Sequence, residues 1–215
     1  MNSQTQKITL QGEAGVIEAL RDEPEGVPPG ESRGVAIVAH PHPLFGGTMD
    51  NKVVQTLARA FVQSGWTVVR FNFRGVGASA GVHDAGAGEA RDFLSVVSQV
   101  APTGALAIAG FSFGSFVASH ALVELALTRE IEKVVFVGTA AQRFTVAPIP
   151  PELHEKTLVV HGEQDDTVSL ASVMDWARPI SLPITVVPGG GHFFHGQLPL
   201  LKSLVTRHLF SRNPT

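Results

Sequence analysis

Residues 105–127 read ALAIAGFSFGSFVASHALVELAL, and the two halves of this stretch follow different patterns. Ala105–Phe111 is an unbroken apolar run, as expected of a strand covered on both faces. Phe116–Leu127 is apolar at helical spacing, which predicts a helix that begins just after Ser112 and runs through Ala126. At the junction, Gly110-Phe111-Ser112-Phe113-Gly114 matches G-x-S-x-G. Between a buried strand and a helix, that pattern describes a serine held at a strained turn, its hydroxyl raised above the carboxyl edge of the sheet. The glycines on either side are expected where a Cβ would collide with the neighbouring strand or helix. The helix aims its first amides at the place where negative charge develops during acyl transfer. In another context the pentapeptide is only a Gly/Ser turn. Its surroundings make Ser112 a candidate nucleophile.

Outward from this junction the chain repeats the same alternation. Gly34–His40, Trp66–Asn72, Lys133–Val137, Thr157–His161 and Ile184–Val187 are short apolar runs like Ala105–Phe111. Between them, Val53, Val54, Leu57, Ala58 and Phe61 fall at helical spacing, as do Ala90, Phe93, Leu94, Val97 and Val100. A last helix is expected over about Leu198–Leu209. Asp50 and Glu89 sit near first turns, where the helix dipole favours negative charge. Alternating strands and helices predict an α/β fold with a parallel sheet. Lys7–Gln11 and Gly15–Leu20 are weaker strand candidates, placed as an antiparallel hairpin or edge. Glu23–Gly30 reads as a loop.

A serine hydroxyl is a poor nucleophile near neutral pH, so an imidazole must take its proton and a carboxylate must orient that imidazole. In this architecture the partners follow in the order serine, acid, histidine. The run Thr157–His161 leads into His161-Gly162-Glu163-Gln164-Asp165-Asp166, which places carboxylates at a strand's carboxyl end, where open α/β sheets carry their sites. Ile184–Val187 leads into Pro188-Gly189-Gly190-Gly191-His192, which makes His192 the candidate base. The acid is Asp165 or Asp166, whose adjacent side chains point in different directions. The oxyanion needs two donors. One is the amide of Phe113, directly after the nucleophile. The other is expected from His40-Pro41-His42-Pro43-Leu44-Phe45-Gly46-Gly47, where the two prolines have no N–H to offer. That leaves His42, Leu44, Phe45 or a glycine.

With these blocks in view, the chain resembles the α/β-hydrolase superfamily, and within it a group of small bacterial hydrolases without a lid. The blocks are HPHPLFGGTMDNKVV (40–54), FNFRGVGASAGVHDAGAGEARD (71–92), GFSFG (110–114), HGEQDDTV (161–168) and GGGHFFHG (189–196). The group is similar in fold to dienelactone hydrolase, but serine stands here where that enzyme has cysteine, so its activity is not carried over. The resemblance implies a mostly parallel central sheet of about eight strands flanked by helices, one domain over residues 1–215, and no lid. It implies Ser112, Asp165 and His192 as the triad, because HGEQDDTV is similar to H-G-x-x-D-x-x-V. Asp166 then becomes a turn or capping carboxylate and Glu163 a solvated loop charge. Matching His42-Pro43 to the familiar His-Gly of the oxyanion loop favours Leu44 as the second donor. Only Gly138–Glu155 occupies the position where relatives insert a lid, so an open, shallow site is expected. His42, Phe45, Arg74 and Phe193 are the candidates for substrate contact, Arg74 as a partner for a substrate carboxylate. Of Phe45, Phe113, Phe193 and Phe194, most are expected to pack in the core.

Composition narrows the function classes. The chain has 215 residues, 44% apolar and 16% charged, with a net charge of −3, so no basic footprint for nucleic acid or anionic membrane is present. There is no cysteine, hence no thiolate chemistry. MNSQTQKITLQGEAG lacks the basic and apolar regions of a signal peptide, and no apolar run reaches the ~20 residues of a membrane span. A soluble, cytoplasmic protein, monomer or homodimer, is expected. His40, His42, His83, His192 and His195 show no metal-ligand spacing, and Asn72–Gly77 lacks the third glycine of a dinucleotide fingerprint. No cofactor is expected. Glu89 and Asp92 are expected on an exposed helix face. The readings that follow are an esterase or thioesterase acting on a small acyl substrate, a peptidase or amidase, or a non-catalytic binding protein on the same scaffold.

Overall fold

The computed structural model describes residues 5–28 and 30–211. The first four residues of the N-terminal stretch, Pro29 in the Glu23–Gly30 loop and the last four residues lie outside it. Eight strands form one sheet: β1 (Gln6–Gly12), β2 (Gly15–Asp22), β3 (Val35–Ala39), β4 (Thr67–Phe71), β5 (Leu106–Phe111), β6 (Ile131–Val137), β7 (Thr157–Gly162) and β8 (Ile184–Val187). Their spatial order is β1-β2-β4-β3-β5-β6-β7-β8. β1 pairs antiparallel with β2, and β2 with β4; the other pairs are parallel. The N-terminal hairpin is therefore the antiparallel edge of a mostly parallel sheet.

Strand side chains alternate between two apolar layers, as the twofold period of a strand requires. Ile37, Val69, Leu106, Ile108, Val134 and Phe136 pack with α2 (Ala87–Val100), α3 (Phe113–Ala126) and α4 (Leu170–Ala177). Val38, Val68, Ala107, Ala109, Val135 and Val160 pack with α1 (Lys52–Gln63) and α5 (Leu198–Phe210) on the opposite face. The strand runs are nearly all apolar because both faces are covered. α4 went unforeseen in the sequence: eight residues give barely two turns of periodicity.

Two acidic residues of α2 are placed differently from the exposed face expected of them. Glu89 and Asp92 are buried. Glu89 caps its helix, accepting from the amides of Asp84 at 3.0 Å and Gly86 at 2.8 Å. Asp92 is paired with Arg74. Among the described residues no helix is long and apolar enough to cross a membrane.

Candidate active site

Ser112 stands between β5 and α3 with φ 56° and ψ −117°, a left-handed conformation that a β-carbon resists. The turn is held by packing too tight for a side chain on either flank. A Cβ on Gly110 would lie 2.5 Å from the carbonyl carbon of Gly114, and one on Gly114 would lie 2.4 Å from the Ala39 oxygen. β3 and α3 therefore approach each other closely at the elbow, and the serine hydroxyl is driven out over the sheet edge.

Two loops, one after β7 and one after β8, meet the serine. His192 Nε2 is 3.1 Å from Ser112 Oγ, and His192 Nδ1 is 2.7 Å from Asp165 Oδ2. Asp165 Oδ1 accepts from the amides of Val168 at 2.8 Å and Thr167 at 2.9 Å. Burial works to raise the Asp165 carboxyl, but the His192 hydrogen bond and these amides outweigh it and hold it below the usual carboxylate range. The acid stays charged and presents a single acceptor to the ring, which puts the imidazole proton on Nδ1 and the lone pair on Nε2, toward the serine. Behind the carboxylate, His161 lies 3.6 Å from Asp165 Oδ2 and donates from Nε2 to the Val168 carbonyl at 3.0 Å.

The two loops are fastened to each other. Gln164 donates its amide to the Gly190 carbonyl at 2.8 Å, and Glu163 Oε2 accepts from the Gly189 amide at 2.9 Å. Glu163 thus anchors the histidine loop, beyond the solvated charge expected of it. Asp166 is exposed and touches only the Thr167 hydroxyl.

In the loop after β3, the amide expected as second donor is engaged within the chain. The Leu44 amide already donates to His42 Nδ1 at 3.2 Å, and the Leu44 side chain is 69% exposed. The amides of Phe45 and Gly47 close onto the His42 carbonyl, and that of Gly46 onto the Pro43 carbonyl. The loop is a 3-10 turn, Pro43–Phe45, that consumes its own donors. The Leu44 amide is thus occupied within its own loop. The amide left without an acceptor among the described residues is that of His42, and the amide of Phe113 at the start of α3 is likewise unengaged. His40, which follows β3, is fully buried, donating from Nδ1 to the Pro41 carbonyl and accepting at Nε2 from the Phe73 amide at 3.0 Å.

Arg74 does not line the cleft of Ser112 and His192. Its guanidinium is buried and clamped by Asp92, Nε to Oδ2 at 2.8 Å and Nη2 to Oδ1 at 2.9 Å, with Glu13 at 3.6 Å and Asp84 at 3.9 Å, so acids of this chain already surround it. His42, Phe45 and Phe193 do line the cleft of about 400 Å³ that holds Ser112 and His192. Phe45 is 74% exposed, while Phe113 and Phe194 are buried. Burial, followed by the charges of His83 and Arg143, keeps the His42 ring below the ordinary histidine range. Three lining residues went unforeseen: Asn51, Thr167 and Arg143. Arg143 had a readable signal, being the only Lys or Arg in the segment after β6, Gly138–Glu155. A larger cavity of about 550 Å³ near Arg70 and α1 shares no lining residue with this cleft. Among the described residues no three His, Asp or Glu side chains cluster to hold a metal ion.

A parallel α/β sheet with a serine at a strand-to-helix turn, met by a histidine and an aspartate from later loops, defines the α/β-hydrolase class. The chain belongs to this family: the alpha/beta hydrolase domain matches over residues 33–199. It is 34% identical to XC6422 of Xanthomonas campestris, described as an α/β serine hydrolase without a lid, with a TM-score of 0.85 over 100% of this chain and 99% of that one. It is 36% identical to an α/β serine hydrolase homologue of Coxiella burnetii, with a TM-score of 0.79 over 95% and 97% of the two chains. The uncharacterized protein RP471 of Rickettsia prowazekii is 33% identical over 198 residues, 82% of this chain and 79% of that protein. The fold is that of the small lidless group.

Proposed function

We propose that this protein cleaves carboxylic esters or thioesters through an acyl-serine intermediate, with Ser112 as nucleophile, His192 as base and Asp165 as orienting acid. The observation that carries the reading is the unbroken chain from Ser112 Oγ to His192 Nε2 at 3.1 Å and from His192 Nδ1 to Asp165 Oδ2 at 2.7 Å. As Oγ attacks the acyl carbon, its proton passes to Nε2 and the ring becomes an imidazolium beside a charged carboxylate. The carbonyl oxygen takes up the negative charge and is met by the unengaged amides of Phe113 and His42. The intermediate collapses, the bond to the leaving oxygen or sulfur breaks, and the imidazolium returns the proton to it. Water then enters, gives its proton to Nε2, attacks the acyl-serine and releases the acid as Oγ regains a proton. No resident cofactor takes part in this scheme. With no lid over the cleft and Phe45 and Phe193 at its rim, the reading favours small or extended acyl substrates over interfacial lipids.

The test is Ser112→Ala assayed with a p-nitrophenyl short-chain ester. Turnover is expected to fall by about three orders of magnitude or more. A fluorophosphonate should leave its adduct on Ser112 in the wild type, as located by mass spectrometry. Undiminished turnover in the variant, or an adduct on another residue, overturns the reading. A peptide anilide assayed alongside separates the esterase from an amidase.

A further inference from the structure

The cleft around Ser112 has a marked charge asymmetry. Of the side chains lining it, Arg143 alone carries a formal charge, and no carboxylate is among them. Elsewhere on the chain, Arg21 meets Glu23, Arg70 meets Asp22, Arg74 meets Asp92, Arg91 meets Glu13 and Arg178 meets Asp175, while Arg33, Arg59 and Arg129 donate to carbonyl oxygens of the chain. Arg143 pairs with no described carboxylate; its guanidinium lies over the Phe45 ring, 5.9 Å from the centroid. That contact leaves its N–H edge free, because an aromatic face attracts the cation without accepting its donors in the ring plane.

The position of Arg143 is fixed from both sides. Before it, Gln142 Oε1 accepts from the Ser169 amide at 2.8 Å, tying the turn to the segment that follows Asp165. After it, Phe144 stacks on Phe116 at 4.7 Å and packs edge-on against Phe113 at 5.1 Å. The backbone between is closed by bonds from the Arg143 and Phe144 amides to the Ala140 carbonyl. A cation on so short and fastened a turn, in a cleft without acids, is placed to meet a negative group on whatever occupies the cleft. The influence of its charge on the neighbouring His42 ring is consistent with that placement.

We propose that Arg143 binds an anionic group of the substrate, so that the preferred substrates are esters or thioesters carrying a carboxylate or phosphate. This rests on the acyl-serine reading above and names the substrate class for that site. A guanidinium suits either group because its planar fork matches two oxygens at once.

The experiment compares matched substrate pairs. On the acyl side the pair is p-nitrophenyl hemiglutarate and p-nitrophenyl valerate. On the leaving-group side it is the acetyl thioester of 3-mercaptopropionate and S-propyl thioacetate, with a third thioester ending in phosphate to separate the two anions. In at least one pair, wild-type kcat/KM is expected to favour the anionic member by about tenfold or more, mostly through KM. The preference should shrink at about 0.5 M salt. Arg143→Gln should bring the ratio toward one, and Arg143→Lys should keep part of it. Because each ratio is taken within one variant, a folding defect or a general loss of activity cancels. A wild-type ratio near one in every pair, or an unchanged ratio in Arg143→Gln, overturns the proposal. If that happens while Ser112 still takes the fluorophosphonate, the hydrolase reading stands and this one falls. If Ser112 takes no label and no ester is cleaved, both fall.

Discussion

Asp92 and Asp165 are both buried carboxylates that hold a basic side chain from another segment, and they differ in what each pair leaves over. Asp92 offers both oxygens to Arg74, and nothing of that guanidinium faces the cleft. Asp165 divides its oxygens, one for the Thr167 and Val168 amides and one for His192, so that a single ring nitrogen remains and faces Ser112. The first pair is closed and binds α2 to the loop after β4. The second is open at one atom, and that atom lies against a hydroxyl in a solvent-reaching cleft. The same ingredients give a clamp in one place and a proton acceptor in the other.

Asp165→Asn should show the larger effect. An amide in place of the acid no longer selects the Nδ1–H tautomer, so kcat is expected to fall by about 10⁴. The urea midpoint should move far less, because the loop keeps its amide and backbone bonds. Ester turnover and denaturation measured on one preparation check this; a loss below tenfold would mean that Asp165 is only a loop fastener.

Asp92→Asn should invert that pattern. It leaves the buried Arg74 guanidinium with only the exposed Glu13 and Asp84, at 3.6 and 3.9 Å, as acids, so the loss of folding stability should approach without exceeding the about 3–5 kcal/mol of an uncompensated buried charge. Turnover per folded molecule should change little. Replacing both residues, Arg74→Met with Asp92→Leu, should restore much of the loss because no unpaired charge remains. If Asp92→Asn instead reduces kcat and spares stability, the clamp takes part in the chemistry and the comparison breaks.

The features legible in the sequence were those set by local pattern. Ala105–Phe111 declares a buried strand by its apolar run, and Ser112 is marked by flanking glycines, of which Gly110 answers a backbone contact with Gly114 and Gly114 one with Ala39. The order of Ser112, Asp165 and His192 follows from which strand ends precede them. What was not legible depends on partners distant in the chain. Whether Arg74 is free or held turns on Asp92, 18 residues on and one helix away. Which amide of residues 42–47 stays open turns on how a loop with two prolines folds on itself. Burial of Glu89 follows from its capping of the Asp84–Gly86 turn, which a helical pattern alone does not reveal.

Two buried histidines set a response to acid. His40, after β3, is buried with its pKa pushed from 6.5 down to about 4, first by desolvation, and its Nε2 is occupied by the Phe73 amide. His208 in α5 is lowered to about 4 as well, again chiefly by burial. Below pH 6.5 the unfolded chain takes up protons that the folded chain refuses until about pH 4. Stability from these neutral rings is therefore present above that window and lost as pH falls through it. For His40 the loss amounts to about 3 kcal/mol. Urea denaturation from neutral pH to about pH 4.5 should show it, and His40→Gln should flatten the slope. An equal slope in that variant would assign the acid sensitivity elsewhere.

The smallest expected effect separates the two oxyanion assignments. Leu44→Pro deletes the Leu44 N–H at a 3-10 position whose φ suits proline, and because the new ring crowds the helical conformation of Pro43, the fold of the variant is checked by circular dichroism. If the Leu44 amide held the oxyanion, kcat would fall by about 10²–10³. In this structure that N–H serves only His42 Nδ1, at 3.2 Å, so the loss should stay below about tenfold. What loss there is should come from a less firmly held His42 ring, since its Nδ1 would lose its donor. The His42 amide, which the turn leaves unengaged, is untouched by the substitution. A hundredfold fall in kcat with an intact fold would return the donor to Leu44. A fall of a few fold would leave it with His42, at the point where β3 enters the turn.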